Sequence, residues 1–423
     1  MMYSLLWCLS GVLSGVVFGI IPGAGPFLAI ATIYPLLLNL DPFNILIYYI
    51  ALLITTNYTN SVTAILYGIP GDPTAVVTAR HGHTLFLKGE GHLAVSSNAV
   101  SSTIGSIFAI SLFLLFLPNI YIAFQFYNST IQLVVISLAV VLLTLLSKQK
   151  IWLTIPLFIL GGVLAKIGFD NLSYQTWGTF GFEYLTLGIP FSAVMIGLYI
   201  IPEIIKFRNL DITQHQSITK FGYARNTLGA TWVGSFVGFW CGLVPGVTNI
   251  LGSYLSSNLV KTDINKIAAA EAANNSGALS SLLPLIVLGI PIVGSEVLIY
   301  YLILTKGFTF GIDTLPVFSD ILYYIPLILG TCLFLSWACF NQLGSLAYLY
   351  KKYKNSFTIG IVLFISIMSI YIYPVKEWMI IALVILSVLG YCLKNLDTFP
   401  VLYGYFLTDL FWDNLMRVMV IYG

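Results

Sequence analysis

Long apolar stretches dominate this chain. Clear runs cover 131–147, 151–165, 357–373 and 378–393, and many others are interrupted by Gly, Pro or Ser. A helix that crosses a bilayer needs about 20 such residues. The pattern predicts an all-α polytopic membrane protein with about 12 spanning or re-entrant helices.

The interruptions repeat. Near the start of each half an apolar stretch meets a Pro-Gly pair, Ile20-Ile21-Pro22-Gly23 and Leu243-Val244-Pro245-Gly246. A second break follows about fifty residues later, Gly68-Ile69-Pro70 and Gly289-Ile290-Pro291. Pro22 and Pro245 are 223 residues apart, and Pro70 and Pro291 are 221 apart. Farther on, 131–170 and 357–397 share one pattern: apolar segment, short polar break, apolar segment, hydrophilic turn. A tandem duplication explains this, with a first membrane repeat over 1–205, a basic linker over 206–225 and a second repeat over 226–423. Pro removes a backbone donor and Gly relaxes the dihedral limits, so each pair ends one helix and starts another. Matched interruptions in two halves of a membrane protein point to a transport site.

Charge gives the repeats a direction. The linker carries Lys206, Arg208, Lys220 and Arg225, which places it in the cytoplasm. Lys351, Lys352 and Lys354 mark an inside loop in the second half, whereas the corresponding Phe124-Gln125-Phe126-Tyr127 is uncharged. Equivalent loops with opposite charge character predict inverted repeats. No Lys or Arg precedes Arg80, which predicts an external N-terminus, read as a first membrane helix rather than a signal peptide.

Composition agrees with the membrane reading and removes other classes. Hydrophobic residues make up 58 % and charged residues 8 %, and mean hydropathy is +0.95. The net charge of +2 offers no basic surface for nucleic acid. The five cysteines form no C-x-x-C pair and read as small buried hydrophobes. His81, His83 and His92 lack accompanying Cys or carboxylate ligands and read as an ordinary polar loop. No Walker loop, H-E-x-x-H or G-x-S-x-G pattern occurs, so an enzyme is not expected, and no cofactor either.

Polar clusters stand out against this background. The first half offers Pro22, Gly23 and Gly25, then Asn57, Thr59, Asn60, Ser61 and Thr63, leading into Gly68, Pro70, Gly71 and Thr74. The second half offers Pro245 and Gly246, then Asn274, Asn275 and Ser276, leading into Gly289, Pro291 and Ser295. A helix that starts after a break turns free N–H groups and its positive dipole end to the gap, which suits a carboxylate. Carbonyls that end the preceding helix, with Asn, Ser and Thr oxygens, suit a dehydrated Na+. The plainer alternative is packing, with kinks as close-contact points and Asn and Thr as glue between helices. Glu271 and Glu296 lie in otherwise apolar stretches, where an acid is a candidate proton carrier or cation ligand. A helix-end acid at the water boundary is the other reading, and for Glu271 both stand, because Lys261, Asp263 and Lys266 lie just upstream. Asp72 and Arg80 read as interfacial.

These residues resemble the large membrane subunit of the tripartite tricarboxylate transporter family. The likeness rests on Pro22-Gly23-Ala24-Gly25-Pro26, on Pro70-Gly71 through Gly82, Lys88 and Gly89, and on Pro245-Gly246. Its most specific part is Glu271-Ala272-Ala273-Asn274-Asn275 followed by Gly289-Ile290-Pro291, and it extends to Phe399-Pro400 and Asn414 to Arg417. The chain departs from the family pattern at Thr59-Asn60-Ser61, Gly68-Ile69 and His81, and it is shorter than is typical. The resemblance implies uptake of a tricarboxylate or dicarboxylate through the cytoplasmic membrane by secondary active transport. It also implies an extracytoplasmic solute-binding protein and a small membrane subunit as partners. Na+ and H+ both remain as the coupling ion. A non-transporting scaffold or receptor component, or a channel, is the alternative.

Overall fold

A computed structural model describes residues 2–21, 25–68, 73–124, 129–145, 149–170, 175–190, 193–194, 196–200, 225–243, 248–308, 310–311, 317, 320–346, 373–393, 395–396 and 398–422, with single residues or pairs between 353 and 371. Among these residues the protein is helical apart from one antiparallel hairpin, β1 (Gly168–Asp170) and β2 (Gln175–Trp177). The helices fall into two compact units. One comprises Met1–Ile30, Leu36–Ile122 and Leu210–Lys354; the other comprises Ala31–Pro35, Ala123–Asn209 and Asn355–Gly423. Each unit therefore draws on both halves of the sequence. The expected linker, 206–225, lies outside the described residues except for Arg225.

The first unit contains α1 (Met2–Gly19), α3 (Pro42–Tyr67), α4 (Val76–Leu87), most of α5 (Gly91–Phe124), α9 (Leu228–Gly242), α10 (Thr248–Asn258), α11 (Asp263–Ser280), α12 (Leu282–Leu288), α13 (Gly294–Leu304) and α14 (Ile325–Ala338). Helix α2 (Gly25–Leu37) lies between α1 and α3 in sequence. Local chemistry sets the bounds of α3. The Asp41 side chain accepts from the Asn44 N–H (3.0 Å), and Pro42 opens the helix. Gly68 closes it at φ 66°, a left-handed conformation that costs glycine little. All residues from Asn44 to Tyr67 are buried, so α3 is surrounded along its length. Helix α11 starts where the Thr262 hydroxyl caps the Asn265 N–H, and it is buried from Ile267 to Ser280.

Two helix contacts match in their spacing. Gly11, Gly15 and Gly19 of α1 face the carbonyls of Tyr48, Leu52 and Thr56 on α3. Gly234, Gly238 and Gly242 of α9 face the carbonyls of Ala269, Ala273 and Gly277 on α11. The glycines are 223 residues apart and the carbonyl residues 221 apart, as are the breaks. A Cβ at Gly19 would meet Thr59 Oγ1, and one at Gly242 would meet Ser280 Oγ. The helix ends match too. Gly68 donates to the Ala64 carbonyl at 3.1 Å with φ 66°, and Gly289 donates to the Leu285 carbonyl at 3.0 Å with φ 65°. Small residues at every fourth position let two backbones touch, which is how helices associate where apolar lipid gives no hydrophobic drive.

The second unit holds α6 (Ser129–Leu145), α7 (Ile151–Lys166), the hairpin, α8 (Glu183–Thr186), α15 (Lys376–Leu393) and α16 (Phe399–Tyr422). Its α7 and α16 also meet at glycines, with Gly161 against the Val401 carbonyl and Gly404 against the Phe158 carbonyl. Trp378 Nε1 donates to the Gly188 carbonyl (2.8 Å) and the Tyr405 hydroxyl to the Ile189 carbonyl (2.9 Å).

Among the described residues three helices are long and apolar enough to cross a membrane: Pro42–Tyr67, Gly91–Phe116 and Lys376–Leu393. A bent pair, Leu322–Leu335 with Phe340–Leu346, makes a fourth if counted as one span, and five apolar helices of 10–17 residues accompany them. The close contacts are testable by size. Gly238→Ala should lower stability by about 1–3 kcal/mol, because its Cβ would meet backbone rather than a yielding side chain. Gly330→Ala, with open space around it, should not. Thermal unfolding of the two variants in detergent measures the difference.

Candidate substrate and cation site

The polar run of α3 spreads around a fully buried helix, so its members meet different neighbours. Thr59 donates to the Gly15 carbonyl (3.0 Å) and the Thr55 carbonyl (2.9 Å), and Thr63 donates to the Asn60 carbonyl (3.1 Å). Both serve the backbone. Ser61 faces the other way and donates to Glu271 Oε1 at 2.8 Å. Thr78 on α4 donates to the same oxygen. Ser61 Oγ also lies 3.2 Å from Asn60 Oδ1, and Asn60 Nδ2 donates to Thr74 Oγ1 (3.4 Å) in the 3-10 turn Pro73–Ala75. Residues just before and just after the first-half break thus converge on one carboxylate from the second half.

Glu271 is 1 % exposed and sits two turns into α11, away from its end. Glu271 thus lies in the buried interior of α11 and not at its end. Asn275, one turn on, donates from Nδ2 to the Glu271 carbonyl (3.1 Å). Asn274 turns to another side, where its Oδ1 accepts from Asn249 Nδ2 of α10 (2.7 Å). Asn274 Nδ2 and Asn57 Nδ2 are buried donors with no acceptor among the described residues. Ser276 donates to the Ser235 carbonyl (2.7 Å) and so fastens α11 to α9.

The second-half break is built differently. Gly289 ends α12 and Pro291 is buried behind it. The Glu296 carboxylate accepts from the Ile292 N–H (2.6 Å), the Val293 N–H (3.2 Å) and Ser281 Oγ (2.6 Å). Glu296 therefore ties down two backbone N–H groups just ahead of α13. Ser295 bonds the Tyr49 hydroxyl (2.9 Å) and stays apart from the Glu271 network. Gly25, buried and at φ 56°, opens α2. Pro22, Gly23, Pro70, Gly71, Pro245 and Gly246 lie outside the described residues, as does Asp72.

The histidines differ from the expected loop. His81 and His83 lie within α4, and His92 within α5. His81 Nδ1 pairs with Asp263 Oδ1 of α11 at 2.8 Å, with Lys88 Nζ 3.9 Å from the other carboxylate oxygen, and His83 Nδ1 meets the Ile65 carbonyl (3.0 Å). The His81–Asp263 pair and the Thr78–Glu271 bond join the same two helices. Arg80 is exposed.

Sequence reasoning passed over Thr78 and a polar face of α5. Ser97, Asn98, Ser101, Ser102 and Ser106 are all buried. Asn98 Nδ2 donates to the Tyr58 carbonyl (3.4 Å), Ser102 to Asn98 Oδ1 (3.2 Å), and Ser101 bonds Thr231 on α9 (2.9 Å). The signal was the dense hydroxyl and amide run of 96–103 in an otherwise apolar helix.

Residues 5–402 match the model of the tripartite tricarboxylate transporter TctA family. The chain belongs to the TctA family. It is therefore a transporter component, and that membership points to a transport role. A relative described as an "uncharacterized 52.8 kDa protein in TAR-I ttuC' 3'region" of Agrobacterium vitis is 27 % identical over 99 % of this chain and 87 % of its own length. An uncharacterized protein of Methanocaldococcus jannaschii is 24 % identical over 68 % of this chain and 70 % of its own. No solved structure matches this TctA-family chain.

Thr78 makes the network testable. Hydrogen bonds to a charged group contribute about 1.5–3 kcal/mol each. Thr78→Val keeps the shape and removes the donor, so it should lower stability by about that amount, while Thr78→Ser should retain most of it. Chemical unfolding of both variants in detergent checks this.

Proposed function

We propose that this chain is the carrier subunit for uptake of a tricarboxylate or dicarboxylate through the cytoplasmic membrane, driven by a Na+ or H+ gradient. The observation that carries the reading is the buried bond of Ser61 and Thr78 to Glu271. Polar groups at membrane depth are costly and mark solute or ion pathways. Here they join the flanks of the first-half break to the middle of a second-half helix. The buried donors Asn57 Nδ2 and Asn274 Nδ2 suit carboxylate oxygens, and the Asn249 bond holds Asn274 beside the start of α10. The opposite charge character of matching loops supports inverted repeats, with alternating access from one group of helices moving against the other. Family membership supports a solute-binding protein and a small membrane subunit as partners.

Reconstitution tests this directly. Proteoliposomes holding the chain with its two partner proteins should accumulate labelled tricarboxylate when an inward cation gradient is imposed, and lose that accumulation when the gradient is collapsed. Asn274→Ala should raise KM about tenfold, the loss of one charge-assisted hydrogen bond. Wild-type vesicles that equilibrate no carboxylate would remove the carrier reading.

A further inference from the structure

Asn275 is 1 % exposed, and its orientation is fixed by a bond with a definite direction. Its Nδ2 donates to the Glu271 carbonyl at 3.1 Å. A carbonyl can only accept, so the nitrogen end of the amide is committed there and Oδ1 is turned elsewhere. That oxygen is buried and meets no hydrogen-bond donor among the described residues. Buried polar atoms are normally satisfied, so a buried acceptor without a donor needs a physical account.

The neighbours say what kind of ligand would supply it. Glu271 and Asn275 are four residues apart on α11 and share one face. The Asn275 side chain folds back to the turn that carries Glu271. Ser61 and Thr78 donate their hydroxyl protons to Glu271 Oε1, which leaves lone pairs as the unused part of each hydroxyl oxygen. The group therefore presents oxygen acceptors together with one carboxylate. Such a set suits a hard cation, and a single formal negative charge suits a monovalent one. A proton on Glu271 would serve the carboxylate alone. The amide oxygen does not titrate and would stay as it is, whereas a coordinated ion answers both.

We infer that Glu271, Asn275 and Ser61 form a binding site for a sodium-class monovalent cation, with Thr78 orienting the carboxylate. The inference rests on the carrier reading and names its coupling ion. The site draws on α3 and α4 from the first repeat and α11 from the second, so the bound ion ties the two repeats together where the first-half break occurs.

Thermal unfolding of the full chain in detergent tests this without requiring transport. NaCl is titrated against choline chloride at constant ionic strength. A ligand that binds only the folded state raises Tm with concentration. The wild type should show a rise in Tm that saturates with Na+, and Glu271→Gln and Asn275→Ala should each move its midpoint at least tenfold. The wild-type titration stands even if one variant fails to fold. Equal Tm in sodium and choline would overturn the inference, as would an unchanged midpoint in Asn275→Ala. Stabilisation by acid instead of sodium, abolished in Glu271→Gln alone, would overturn it in favour of a proton site. Carboxylate flux measured in parallel separates the two readings. Flux indifferent to Na+ overturns the cation site and leaves the carrier, whereas sodium-dependent Tm without flux leaves the site and overturns the carrier.

Discussion

Three glycines of one helix set against three carbonyls of another, used twice, are the contact on which the first unit depends. Gly11, Gly15 and Gly19 bring α1 onto α3, and Gly234, Gly238 and Gly242 bring α9 onto α11. In a bilayer, association rests on close packing and hydrogen bonds, and both need the backbones near one another. Hydroxyls then reach neighbouring backbone, as Thr59 does to Gly15 and Ser280 to Phe239. With α3 and α11 held from behind in this way, their other faces are free to carry polar chemistry.

That chemistry is unequal between the two halves of the chain. Position 60 and its counterpart 281 each reach toward the start of the helix after the break, Asn60 to Thr74 and Ser281 to Glu296. The second-half bond goes to a carboxylate that also takes two backbone N–H groups, so this break is closed by its own residues. The first-half break has no such acid of its own among the described residues. It borrows Glu271 from the second half of the chain through Ser61 and Thr78. The two breaks thus meet different acids, Glu296 from the helix that follows and Glu271 from a distant part of the chain.

Much of this was legible in the residues. The paired breaks, the 223- and 221-residue offsets and the Glu271-Ala272-Ala273-Asn274-Asn275 run identified the helical class and the family from the chain alone. The candidate residues divided once their neighbours were known. Thr59, Thr63 and Ser276 spend their hydrogen bonds on backbone, and Ser295 on Tyr49, while Ser61, Asn60 and Thr74 lie in the Glu271 network. Nothing in a Thr-Asn-Ser run tells which member faces which helix, because every face of α3 is buried. Thr78 escaped notice because a single threonine in a short helix carries no pattern.

Sequence by itself determined the apolar helical character and the places where helices break, because these follow from local properties: hydropathy, the donor missing from proline and the left-handed backbone open to glycine. Tertiary structure alone decided that Glu271 meets Ser61, 210 positions away, and Thr78, 193 away. It also decided that Asn275 turns its nitrogen to its own helix and its oxygen elsewhere. Such pairings depend on the rotation and approach of one helix on another. Those are set by the glycine contacts on the opposite side of each helix, which no local window of sequence contains.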